Sequence, residues 1–155
     1  DNYSIEFIAK VFIDKKNTDC VYGNLIFINQ NNEITRNWIS CQYKIGLFEK
    51  SWTPAHPTFY CRRKVFEKIG YFNLKYKIAA DVEFMLRALR VNKLNSIYIN
   101  KTLVKMRTGG ISNNGLKSKY IIAKEMYNAF SENNLSLNIF KYVFYKVLKL
   151  KQYIN

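Results

Sequence analysis

The chain is 155 residues long, carries a formal net charge of +14, and is 48% hydrophobic and 16% aromatic. That length suits one domain with a real core and is short for two, and the apolar content excludes a disordered tail. The charge points to anionic partners: nucleic acid, an acidic membrane surface or phosphate-bearing substrates. The abundance of Lys, Asn, Ile and Tyr fits a compositional background on a solvated surface as well.

Cys20, Cys41 and Cys61 are odd in number and far apart in sequence, with no CxxC spacing. That disfavours a disulfide framework or a zinc site and suggests three small apolar residues in a reducing cytoplasm. No apolar run approaches the ~18 residues that span a bilayer, and no signal-peptide pattern is present. The first residue is Asp1 rather than Met, which suggests processing or a fragment of a longer protein.

In chain order, Ile5, Ile8, Ala9 and Phe12 recur at helical spacing and predict a helix over 3–16. The β-branched and aromatic run at 20–29, the turn "QNNE" and "ITRNWIS" predict a hairpin or meander pair. Residues 43–56 contain Gly46 and Pro54 and read as a loop with one helical turn at most. "PTFYCR" reads as a short strand, and "RKVFEKIG" as a short helix stopped by Gly70. A helix then opens at Asp81, with Val82, Met85, Leu86 and Leu89 along one face. "NSIYIN" and "TLVKMRT" predict two short strands about a turn at Lys101. "GGISNNG" predicts a flexible loop, with helices following over 116–131 and 136–152. The expectation is a mixed α/β domain lacking the early βαβ units that usually build a nucleotide pocket.

Three blocks in this order, "VYGNLIFINQNNEITRNW", "WTPAHPTFYCRRKVFEKIGYFNLKYKIAADVEFMLRAL" and "LVKMRTGGIS", resemble the C-terminal half of a bacterial family 2 glycosyltransferase. The similarity is to the kind that builds capsular, colanic-acid-like or lipopolysaccharide sugars. It implies a GT-A, Rossmann-like α/β fold. Residues 1–134 would form its acceptor-side part without the nucleotide-binding half, and 135–155 a C-terminal amphipathic helix. It also implies a cytoplasmic, inverting enzyme, at the inner face of the cell membrane or free of it. Such an enzyme takes a sugar from a nucleotide-sugar donor to a saccharide or lipid-linked acceptor, using Mg²⁺ or Mn²⁺. As a fragment, the chain is expected to be inactive alone. The alternative is a basic module that binds nucleic acid or a membrane surface without catalysis. No helix-turn-helix, zinc-finger, RRM or KH signature supports nucleic acid as a partner.

Residue chemistry alone makes Asp81 an N-cap, accepting from an orphan N–H and complementing the helix dipole. The resemblance adds the role of base toward the acceptor hydroxyl. The first member of the family's acidic pair is replaced here by Ala80, and Glu83 reads as a supporting or solvent-facing residue. His56, the only histidine, stands between Pro54 and Pro57. On its own it reads as a loop residue packed on Trp52 or Phe59. By resemblance, His56, Trp52 and Thr58 contact acceptor or sugar.

Arg107 can hold phosphate oxygens in a bidentate grip, and glycines let backbone N–H groups approach an anion. The resemblance assigns Arg107, Gly109, Gly110 and Ser112 to a loop over the diphosphate. Gly109 stands where relatives carry a histidine, which removes a metal role for that loop. Asp1 would be the last member of the acidic metal motif, carboxylates being the ligands hard cations prefer. In the tail, Ile139, Phe140, Val143, Phe144, Val147, Leu150 and Ile154 share one helical face, with Lys141, Lys146 and Lys149 off it. That stripe fits either core packing or a helix lying on anionic lipid.

Overall fold

The computed structural model describes residues 3–107 and 115–148. The elements run α1 (Ser4–Asp14), β1 (Cys20–Ile28), β2 (Ile34–Trp38), β3 (Tyr60–Cys61), α2 (Arg63–Ile69), α3 (Ala80–Leu86), β4 (Ser96–Arg107), α4 (Gly115–Glu132) and α5 (Ile139–Leu148). Single 3₁₀ turns occupy Phe48–Lys50 and His56–Thr58, and a π-helical turn at Arg87–Val91 extends α3. The described residues form a mixed α/β protein with a four-stranded mixed sheet.

β1 is the axis of that sheet. It runs parallel to β4, from Cys20 opposite Ser96 to Ile28 opposite Arg107. Its other edge pairs antiparallel with β2 near one end, Leu25 opposite Trp38, and with β3 near the other, Cys20 opposite Cys61. Covered on both faces, residues 20–25 are all buried, Gly23 and the polar Asn24 included. Side-chain alternation then divides the core. Val21 joins Ile8, Ile99 and Leu103 in a small cluster beside α1. Cys20 faces a larger cluster that includes Phe48, Val65, Phe84, Leu89 and Phe130.

The expected helix over 3–16, the hairpin, and the Gly70 stop are present, Gly70 standing at φ +80°. The two strands expected around Lys101 are one. β4 stays paired with β1 through two register shifts, Tyr22↔Tyr98 passing to Asn24↔Thr102 and then Leu25↔Val104. Gly23 lets β4 pass this close, since a Cβ there would stand 2.7 Å from Leu103 Cδ1 and 2.9 Å from the Lys101 carbonyl oxygen.

Helix α3 is also more deeply buried than a one-faced pattern predicts. Glu83 and Phe84 are covered together with Met85, Leu86, Ala88 and Leu89. Glu83 is therefore not solvent-facing. It accepts from Arg87 Nε at 2.6 Å, and Arg87 in turn donates to the Ile69 and Tyr71 carbonyls.

The cysteines are free, and Cys41 is exposed rather than packed. Cys20 and Cys61 face each other across the β1–β3 ladder. Burial pushes both thiols up, Cys61 to about 11, which keeps them protonated.

The tail helix turns the opposite way from a core stripe. Tyr142 is buried, with Ile139 partly so, while Phe140, Val143, Phe144 and Val147 are exposed. Leu150 and Ile154 of that stripe lie outside the described residues. No helix among the described residues is long and apolar enough to cross a membrane.

Candidate functional site

The polypeptide leading into α3 carries three successive N–H groups, those of Lys77, Ile78 and Ala79. They are bonded by one residue of α4. Lys77 N–H donates to Glu125 Oε1 at 2.8 Å, and Ile78 and Ala79 N–H donate to Oε2 at 3.0 and 2.8 Å. Glu125 is buried, so its charge is balanced by these donors and by the N-terminal end of α3.

The start of α3 corrects the N-cap reading of Asp81. The cap position is Ala79, without a side-chain cap bond, and Asp81 sits inside the first turn of α3. Its Oδ1 accepts from the adjacent Val82 N–H at 2.8 Å. Its Oδ2 lies 3.0 Å from His56 Nδ1, the carboxylate being 29% and the imidazole 44% exposed. Among the described residues His56 Nε2 makes no hydrogen bond, so the pair meets solvent through a half-open face.

His56 is placed by the 3₁₀ turn that Pro57 helps to set, with φ fixed by the ring. Thr58 anchors that turn to the sheet. Its hydroxyl donates toward the Ala55 carbonyl at 2.7 Å, lies 3.1 Å from the Gly23 carbonyl, and accepts from Gly23 N–H at 3.2 Å. Thr58 is fully buried. The structure therefore puts it beneath the site as a fastening and leaves its hydroxyl no face for a sugar. Trp52 is likewise inside, edge-on to Tyr22 at 6.2 Å and stacked on Tyr43 at 6.0 Å. Thr58 acts through the placement of His56, and neither residue is open to a ligand as the sequence reading expects.

Arg107 is exposed at the far end of β4 opposite Ile28, five strand residues beyond Gly23, or roughly 16 Å along β1. It is not beside the His56–Asp81 pair. Gly109, Gly110, Ser112 and Asp1 lie outside the described residues. Among the described residues no three of His, Cys, Asp and Glu gather as ligands for a metal. The pair offers two donors that are bonded to each other, which does not fit a divalent-cation site, and no step below passes through one.

Two features of the site were missed from sequence. Glu125 is the first; its signal was a lone acid next to Met126 on the buried side of α4. The second is the His56–Asp81 contact itself, which joins residues of two different blocks. A concavity of about 630 Å³ lined by Asp14, Lys15, Lys16, Asn17, Thr18 and Asn95 includes neither partner of that pair. No family model matches the chain, and no curated protein matches it.

Proposed function

We propose that the chain is the acceptor-side part of a GT-A-type glycosyltransferase that uses a nucleotide sugar to extend a saccharide or lipid-linked acceptor of cell-surface polysaccharide. The observation that carries the reading is Asp81 itself. Asp81 is not the cap residue of α3, and its partly exposed carboxylate has its direction fixed by His56 and Val82. A carboxylate held in one orientation at a solvent-facing rim is what proton abstraction from a hydroxyl requires.

In this reading the acceptor oxygen attacks the anomeric carbon from the face opposite the diphosphate. The bond from that carbon to the phosphate oxygen breaks, its electron pair leaves with the diphosphate, and the hydroxyl proton passes to Asp81. The configuration inverts. His56 keeps Oδ2 in place, while Arg107, roughly 16 Å along the sheet, has no part in the step.

The test is nucleotide release from UDP-, GDP- and dTDP-sugars in the protein carrying this chain, with membrane-derived acceptor supplied. Asp81→Asn should lower turnover about 10²–10⁴-fold while the fold is kept. His56→Ala should lower kcat about ten- to a hundredfold with little change in KM, as expected of a residue that aims another. Near-normal turnover in Asp81→Asn would overturn the assignment.

A further inference from the structure

The outward side of α5 is the largest departure from what a folded core asks of an apolar helix. Phe140 is 85% exposed, Phe144 60% and Val147 56%, with Val143 and Leu148 open beside them. These residues recur at helical spacing, so they form one continuous face over a helix about 15 Å long. Scattered exposed apolar residues need no explanation, but a contiguous face of this kind marks a binding surface.

The charge around the face is of one sign. Residues 133–155 contain no acid, and Lys141 is exposed on α5. Lys50 approaches from the neighbouring 3₁₀ turn, with Nζ 6.0 Å from the centre of the Tyr145 ring, and Lys119 is exposed on α4. The acids on the elements packed against α5 are all engaged elsewhere. Glu49 accepts from Arg90 at 3.0 Å, Glu125 holds the backbone before α3, and Glu132 accepts from the Tyr76 hydroxyl. An apolar stripe bordered by unopposed lysines complements a surface that is apolar below and anionic above.

We infer that α5 lies along an anionic lipid surface, with Phe140, Phe144 and Val147 entering the acyl boundary and Lys50, Lys119 and Lys141 meeting lipid phosphates. The inference is independent of the transferase reading, since it needs no donor, acceptor or turnover.

Co-sedimentation of the full chain with vesicles tests it directly. Pelleting is expected with equal parts phosphatidylcholine and phosphatidylglycerol, weakening with salt, and not with phosphatidylcholine alone. Phe140→Ser/Phe144→Ser should weaken it about tenfold or more, with the circular dichroism spectrum retained. Lys141→Gln, which removes only a surface charge, should weaken it about fivefold. Leu74→Ser, at an exposed apolar residue elsewhere, should leave it unchanged. The inference is overturned by no pelleting with the anionic vesicles, or by equal pelleting of the double variant. A dimer that the double variant dissolves and vesicles do not would also overturn it, and would make a second copy of the chain the occupant.

Discussion

Helices α3 and α5 read alike in sequence, each with an apolar stripe set against charged positions, yet the structure uses them in opposite ways. Around α3 the neighbours close so completely that even Glu83 is buried, with Arg87 held beside it as counter-charge. The Phe84 ring lies 5.0 Å from those of Phe66 and Phe72, and Leu89 is inside the main core. Around α5 the same kind of stripe faces out, and the inward side carries Tyr142 and the half-buried Lys146. Periodicity establishes that a helix has two faces. Which face the rest of the chain covers depends on elements far away in sequence.

The contrast can be broken at several strengths. Phe84→Ala should cost about 3–5 kcal/mol in a denaturant titration, because three packed rings lose their middle member and a cavity is left. The matched change on the other helix, Phe144→Ala, should stay within about 0.5 kcal/mol. A similar loss at both would mean that α5's outer face is covered after all.

Glu125→Ala should follow at roughly 3 kcal/mol, since three N–H groups lose their acceptor at once. Glu125→Gln keeps one oxygen and should cost about half of that. Equal costs for the two would show that the carboxylate's charge, rather than its number of acceptor positions, secures the start of α3.

The smallest effect concerns the polar side of α5. Burial holds the Lys146 ammonium below its ordinary value, and the nearby Lys119 charge adds to this. The folded state therefore binds this proton less tightly than the unfolded chain. Below the lowered value both states are charged and the burial penalty is complete. As pH rises from there toward 10.5, the folded state releases the proton first and stability increases. Lys146→Met should add about 0.5–1 kcal/mol at neutral pH and remove that rise, measured as the difference between the two unfolding curves.

Much of the local structure was legible because its causes are local. The β-branched and aromatic run of β1, the turn before β2 and the left-handed Gly70 each depend on a few adjacent residues. The errors share one origin. Asp81 has the chemistry of a cap, but the segment leading into α3 is tied to Glu125, 46 residues beyond Ala79, and the helix opens with Ala79 in the cap position. Asn100 and Lys101 have the chemistry of a turn, but the missing side chain of Gly23 lets β4 bulge and continue. Thr58 looked available until the Gly23 backbone, 35 residues earlier, took its hydroxyl. At the candidate site, residue types pointed to Asp81 and His56 one by one. Only the folded chain puts them 3.0 Å apart.

The pairing of β1 with β4 has a further consequence, for the order in which the protein assembles. Asn24 and Asn100, bonded across that pair, are 76 residues apart, and both His56 and Asp81 lie within the loop they close. Parallel pairing of such separation is entropically late and slow to nucleate. During synthesis, β1 leaves the ribosome with one edge open until β4 has followed it. The platform beneath the His56–Asp81 pair therefore becomes complete only after β4 has been made, and a chain stopped before it would expose the open edge of β1 to its neighbours.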